Sequence, residues 1–515
     1  MQLNTHQGGP TVGRLTRRTL EAHPDLVAFQ WDGGSATYAE VQSMIGKFQK
    51  VLQDAGLRRG QGIAALGGNR VEVWAIGQAA QSMGIYTTWL HGMGGLPDQV
   101  FQIEDSEVSG LILDERHYAA RSEQLAAEAK QRGLVVFTMG PSDFADDLTT
   151  AAAAVGDQPM LLTGEVDDRA IINYTGGTTG RPKGVERMQA NVVQGAIDVI
   201  TDFDIAAGAR YLLVAPMSHV AGTKVLPTLI KGGIVHMMTG FDPGAVLETI
   251  EREKITFALF VPTMIYALLD HPDIATRDLS SLELVLYGAS PMSVNRLKEG
   301  IDKIGPVFAQ LYGQTELYPV SMLRKADHDT SNPERLLSCG RPVVGVDVSI
   351  RNEANEEVPV GEVGELCVRG SSAMIGYWKR PDLTAETVAG GWLHTGDVGR
   401  QDTEGFLYIV DRKKDMIISG GFNVFPREVE DALATHPAVA TAAVYGVPDE
   451  KWGEQVTAAV VLKPGASAGE SELIEHVKQI KGPVQTPKVV HLVDELPQTA
   501  VGKIDKKVLR ERENG

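Results

Sequence analysis

The feature that most constrains this chain is an alternation between residues 255 and 304. "ITFALFV" (255–261) is rich in β-branched and aromatic residues, and "PTMIYALLDHP" follows as a helix signal opening on proline. "LELVLYG" (282–288) repeats the strand pattern and "SVNRLKEGIDKI" the helical one. Strands that alternate with helices favour parallel βαβ layers. A large N-terminal α/β body is therefore expected.

The texture changes twice further on. From about Gly340, "VDVSI" (346–350) and "GELCVRG" (364–370) alternate apolar and polar residues with period two, as half-solvated antiparallel strands do. Few helix signals intervene, so a small antiparallel, β-barrel-like unit is expected over about 340–411. After "DRKKD" (411–415), Leu473, Ile474, Val477 and Ile480 fall on one helical face, beside the strand-like "QVTAAVVLK" and "KVVHLV". The expected division is a body over 1–411, a connection at 412–415 and an α+β module over 416–515. A chain of 515 residues is too long for one core, which agrees with several units.

Charge and cysteine content narrow the function. Asp and Glu number 66 against 48 Lys and Arg, a formal charge of -18, which opposes nonspecific nucleic-acid binding. Cys339 and Cys367 are the only cysteines and lack CxxC spacing, so neither a disulfide framework nor a thiolate metal site is expected. No apolar run approaches the roughly 18 residues that span a bilayer, and neither end carries a secretory, lipidation or peroxisomal signal. The expected location is cytoplasmic.

The stretch "YTGGTTGRPKGV" (174–185) follows the strand-like "AIINY" (170–174). Glycines let successive backbone N–H groups turn inward, threonines add small donors, and Lys183 adds a charge, so the loop suits a polyphosphate. It is not a Walker A loop, because "RP" separates Gly180 from Lys183. A solvated connection remains the alternative for such a loop on its own.

The order of its residues resembles the phosphate loop of the adenylate-forming superfamily, in its acyl-CoA synthetase and CoA ligase branch. Only Gly176 departs from the usual pattern, where serine is common. Four further motifs follow in the order of that superfamily: "LYGQTE" (311–316), "GWLHTGD" with "DRKKD", "SGGFNVFPREVE" (419–430) and "PQTAVGKIDKKVLRE" (497–511). The stretch "GIYTTWLHGMGGLPDQ" (84–99) departs from most relatives.

The resemblance implies a role for each matching residue. Thr175, Gly176, Gly177, Thr178, Thr179, Gly180 and Lys183 hold the ATP phosphates. Tyr312 and Gly313 meet the adenine, beside Gly288, Ala289 and Ser290. Thr315 reaches the α-phosphate, Glu316 holds Mg²⁺, and Asp397 and Arg412 hold the ribose. Lys414 is the hinge, Gly420 and Gly421 line the coenzyme A tunnel, and Lys503 is the catalytic lysine. His219 lies where a gating or carboxylate-side residue is expected, although a core histidine is an open alternative.

The implied reaction is ATP-dependent activation of a carboxylic acid as acyl-AMP, followed by transfer to coenzyme A. A ligase that loads a separate carrier protein is the alternative. The acid site is expected along "PMSHVAGTKVL" (216–226) and "YGASPM" (287–292), where Met217, Val220, Ala221, Gly222, Ala289 and Met292 imply an apolar substrate. A fatty, aryl or polycyclic terpenoid or steroid acid fits; an aspartate for an amino-acid ammonium is missing. Partners are thus the small-molecule acid, ATP and coenzyme A, with a homodimer left open.

Overall fold

The alternating apolar runs do become parallel strands buried on both faces. The structure is a computed structural model describing residues 9–175, 182–412, 415–419, 422–449, 451–498 and 504–513, with backbone alone at 412 and 423. A nine-stranded sheet has at its centre, side by side, Phe308–Tyr312, Leu284–Gly288, Phe257–Phe260, Arg210–Leu213 and Ile234–Met237, all parallel. Along the strand Arg210–Leu213, Tyr211 and Leu213 enter one hydrophobic cluster and Leu212 another. That two-sided burial is why these strands read as continuous apolar runs.

A second, eight-stranded sheet is built the same way around Tyr86–Trp89, Gly62–Leu66, Gly110–Leu113 and Val135–Thr138. Ile63 and Ala65 share a core with Tyr211, Leu213 and Phe257 of the first sheet, so one apolar layer joins the inner faces. Burying a side chain such as Phe257 (1% exposed) is worth about 2 kcal/mol.

Each sheet changes winding direction once. In the first, the chain leaves Arg210–Leu213 for Ile234–Met237 on one side, then crosses to Phe257–Phe260 on the other. In the second, it leaves Gly62–Leu66 for Tyr86–Trp89, then crosses to Gly110–Leu113. Such reversals open a crevice at the carboxyl ends of the strands, where ligands of open α/β sheets bind.

The expected antiparallel unit is present as a five-stranded sheet containing Val346–Arg351, Gly364–Gly370, Trp392–Gln401, Val388–Ala389 and Leu407–Arg412. The stretch is not purely β. Gly376–Tyr377 leaves it to pair with Glu186 and Val185 of the second sheet, and Pro381 opens the helix Pro381–Thr387.

The C-terminal module wraps the helices Pro426–Ala434 and Glu470–Lys481 around a sheet led by Val439–Asp449 and Gly453–Leu462. Leu473 and Val477 are fully buried and Ile474 partly so, as expected. Ile480 is not: it is 48% exposed, because it lies in the last helical turn, just before Gly482 ends the helix. The Arg427 backbone N–H donates to Asp411 Oδ2 at 2.9 Å, joining this module to the end of the five-stranded unit.

Candidate active site

Three of the motifs, 174–185, 311–316 and 391–397, are linked near the carboxyl ends of parallel strands. Strand Arg169–Thr175 pairs antiparallel with Lys183–Met188, and Thr175 faces Lys183 across the ladder. Gly176, Gly177, Thr178, Thr179 and Gly180 lie outside the described residues, as do Lys414, Gly420, Gly421 and Lys503.

Lys183 stands over the Tyr377 ring, its Nζ 5.6 Å from the centroid. The Tyr377 hydroxyl donates to Glu316 Oε1 at 2.7 Å, so one tyrosine ties the strand Lys183–Met188 to the 311–316 motif. Burial and the Glu316 carboxylate both push that phenol's pKa up. The Glu316 carbonyl accepts from Met374 N at 2.7 Å, while Glu316 Oε2 has no hydrogen-bond partner among the described residues. Arg187, on the same strand as Lys183, donates to the Thr315 carbonyl. Burial pulls the Arg187 guanidinium down to about 10, with Glu316 acting the other way, so it stays charged at neutral pH.

Asp397 is 2% exposed and held from several sides. The Tyr312 hydroxyl donates to its Oδ2 at 2.5 Å and Gln314 Nε2 at 2.7 Å. Gln314 also donates to the Thr395 carbonyl at 2.9 Å. The Asp397 N–H donates to Thr395 Oγ1 at 3.0 Å, and that hydroxyl donates to the Leu366 carbonyl at 2.7 Å. Burial, then the neighbouring carboxylate, raises the Tyr312 pKa, so it remains a donor. Arg412 is the ladder partner of Asp397, which brings the two motifs together through the backbone.

Glu365 supports this turn from the adjacent strand. Its Oε1 accepts from Gly396 N at 3.0 Å, and its Oε2 lies 3.1 Å from His394 Nδ1, which also meets Cys367 Sγ at 3.4 Å. Gly396 has φ +70, a left-handed conformation that favours glycine. His394 is thus part of local structure.

Gly288, Ala289 and Ser290 close the strand Leu284–Gly288. A Cβ at Gly288 would sit 2.4 Å from the Leu311 carbonyl, so the strand pair demands glycine there. Ala289 has φ +66, a strained geometry of the kind concentrated at functional sites. Gly313 lies between Tyr312 and Gln314 in the same loop.

The segment 216–226, the expected acid side, follows Arg210–Leu213 at the first reversal. His219 is exposed, which excludes the core-histidine alternative; its Nδ1 lies 2.8 Å from Ser218 Oγ and its ring centroid 4.6 Å from that of His91. His91 belongs to the unusual 84–99 stretch. Met217 and Val220 are partly buried, whereas Ala221 (1%) and Met292 (7%) are packed into the core. Lys224 is fully buried.

Three residues in this site carried no signal of their own. Asn69 accepts from Met217 N at 2.8 Å while its amide lies within 3.4 Å of four carbonyls, of Leu213, Val214, Ala215 and Met238, clamping the 216–222 loop across the two sheets. Tyr377 and Glu365 are distant in sequence from what they hold. Gln314 lay inside a recognised motif but without an assigned partner.

Paired strands flanking the 174–185 motif, a buried Asp397 carboxylate and a half-buried Glu316 carboxylate, set near the ends of parallel strands, belong to a fold of the adenylate-forming class. The chain belongs to the AMP-binding enzyme family: the family model matches residues 16–378, and that of the AMP-binding enzyme C-terminal domain matches residues 428–503. It is 43% identical to the medium/long-chain-fatty-acid–CoA ligase FadD8 of Mycobacterium tuberculosis, over 99% of this chain and 90% of that one. It is 38% identical to a feruloyl-CoA synthase of Amycolatopsis, over 97% and 99%. Among solved structures, the amide bond synthetase McbA of Marinactinospora thermotolerans superposes with a TM-score of 0.90 at 32% identity, over 97% and 99%. The activity is that of an AMP-forming acyl-CoA synthetase, an acid–thiol ligase.

Proposed function

We propose that this ligase activates an apolar carboxylic acid of the fatty or aryl class and hands it to coenzyme A. The likeness to a medium/long-chain ligase and to a feruloyl-CoA synthase supports that range of acids. The observation that carries the site reading is the Tyr312–Asp397–Gln314 cluster, which sets a buried carboxylate beside the motif proposed to meet adenine. A carboxylate so placed accepts from both ribose hydroxyls, with Arg412 as a second contact.

In the first step an acid oxygen attacks the α-phosphorus of ATP, and the bond to pyrophosphate breaks. Thr175, Lys183 and the intervening loop residues Gly176, Gly177, Thr178, Thr179 and Gly180 hold the outer phosphates. The Thr315 hydroxyl reaches the α-phosphate, with Gly288, Ala289, Ser290 and Gly313 bordering the nucleotide. Lys503 brings its ammonium between the two anions that must meet. Glu316 Oε2 is an oxygen donor suited to a hard cation, so Glu316 would hold Mg²⁺, which when bound neutralises triphosphate charge.

In the second step the coenzyme A sulfur attacks the acyl carbon and AMP leaves. The body (1–411) and the module (416–515) would turn about 412–415 at Lys414, withdrawing Lys503 and bringing Gly420 and Gly421 to the thiol entrance. His219, exposed at the acid side, gates that approach. The likeness to an amide bond synthetase favours one second reading, in which an amine replaces the thiol as acceptor. No helix is long and apolar enough to cross a membrane among the described residues, in keeping with a cytoplasmic enzyme.

The test is AMP release with a panel of fatty and aryl acids, comparing coenzyme A, an amine and a carrier protein as acceptors. Coenzyme A-dependent turnover with one acid class supports the reading. Adenylate formation that ignores coenzyme A and responds to an amine or carrier would replace it.

A further inference from the structure

Arg187 is a cation that the chemistry above leaves without a task. It lies on the strand Lys183–Met188, where side chains alternate between faces, so Lys183, Val185 and Arg187 share one. That face meets the layer between the two sheets: Val185 belongs to the same hydrophobic cluster as Leu317, Tyr318 and Ala221. The guanidinium reaches from the strand of the 174–185 motif to the 311–316 motif, where it donates to the Thr315 carbonyl.

That one bond leaves most of the group unused. A guanidinium has five N–H donors and a permanent positive charge. Among the described residues Nε is enclosed without a partner, Nη1 has none either, and no carboxylate pairs with the charge. Glu316 acts on it only from farther away, and one oxygen of that carboxylate is taken by Tyr377. Arg187 is nonetheless partly exposed, so a ligand can reach it. A charge largely surrounded by protein and left unpaired is unfavourable, and an arriving anion relieves it.

The surroundings say which anion. On one side is Thr315, proposed to meet the α-phosphate. On the other is Tyr318, which also acts on the guanidinium. The Tyr318 hydroxyl is joined to Lys224, which bonds Thr223 and points at the Val220 carbonyl in the expected acid side. Arg187 thus stands where the nucleotide motif and the acid-side segment adjoin. A planar fork of charged donors matches a carboxylate.

We propose that Arg187 receives the carboxylate of the acid substrate and holds it for attack on the α-phosphate, as a binding cation separate from Lys503. This rests on the acid-ligase reading above and adds a residue to its first step. A hydrogen bond to a charged group corresponds to about ten- to hundredfold in affinity.

The experiment measures, by calorimetry without ATP, the binding of matched pairs: octanoic acid with octanol, and cinnamic acid with cinnamyl alcohol. The proteins are the full-length wild type, Arg187→Met and Arg187→Lys. The wild type should prefer the acid of at least one pair to its alcohol by about ten- to hundredfold. Arg187→Met should bind the two alike, and Arg187→Lys should keep part of the preference. In turnover, Arg187→Met should raise the KM for the acid by a similar factor and leave the KM for ATP near the wild-type value. That split separates a carboxylate contact from a brace for Thr315, whose loss would fall on ATP. The inference is overturned if the wild type binds acid and alcohol equally or binds neither, or if the preference survives Arg187→Met. It is also overturned if Arg187→Met changes the KM for ATP and not that for the acid. If Arg187→Met does not fold, Arg187→Gln, also uncharged, takes its place. AMP release by the wild type with the same acids tests the function reading separately. A carboxylate preference without AMP release defeats that reading and leaves Arg187 as the residue that binds the acid.

Discussion

The Tyr312 hydroxyl and the Asp397 carboxylate lie 2.5 Å apart, joining a parallel strand of the body to the five-stranded unit across 85 residues of sequence. Hydrogen bonds to a charged acceptor are worth more than neutral ones. Tyr312→Phe removes the donor and leaves the ring. The expected outcome is a fall of about tenfold in kcat/KM for ATP, read by pyrophosphate exchange, with the acid KM little changed. An unaltered ATP dependence would show that the bond is only packing.

Glu365 holds the same turn through Gly396 N. Glu365→Ala leaves that N–H without its carboxylate acceptor, at a cost of about 1–3 kcal/mol. A lowered melting temperature together with a raised KM for ATP is expected. Loss of stability with normal ATP kinetics would separate Glu365 from the nucleotide.

Glu316 is proposed to meet Mg²⁺ and Tyr377 to hold Glu316. Glu316→Gln should shift the Mg²⁺ concentration for half-maximal activity upward by at least tenfold. Tyr377→Phe should move it in the same direction by less, because the carboxylate remains. Titrating Mg²⁺ at fixed ATP measures both, and identical curves for all three proteins would reject the assignment.

Lys503 is expected to serve only the first step. Lys503→Ala should slow adenylate formation by about 10²–10³-fold, the range for losing one preorganised stabiliser of transition-state charge. Thioester formation from a supplied acyl-adenylate should persist. A variant defective in both steps would argue for a structural lysine.

His236 supplies a pH dependence of stability. Burial, aided by Arg210 and opposed by Glu253, lowers its pKa from 6.5 to about 4. Above about pH 6.5 both folded and unfolded chains hold it neutral, and its full contribution is present. Between about 6.5 and 4 the unfolded chain takes up the proton first, so stability falls as pH falls. The total is about 3 kcal/mol, lost completely below about pH 4. Urea unfolding at pH 7 and pH 5 should show a smaller drop for His236→Phe than for the wild type.

Much of this molecule was legible beforehand because its signals are local. The run 282–288 and the helix after it are specified by neighbouring side chains, and so is the period-two pattern of 364–370. Ile480 shows the limit of such reading: helical periodicity places it on the apolar face but is blind to its place in the last, solvent-facing turn. The motifs at 174–185 and 311–316 named the chemistry because residue order within a loop is itself a local property.

The sequence by itself determined the layered α/β body, the antiparallel unit, the α+β module and the adenylate-forming motifs. Only the tertiary structure decided what those motifs touch. Tyr312 meets Asp397, Tyr377 meets Glu316, Asn69 spans two sheets to reach Met217, and the buried Lys224 donates to Thr223. The physical reason is that a hydrogen bond or a burial cost depends on distance in space, which the chain fixes only after its strands have paired and its sheets have packed.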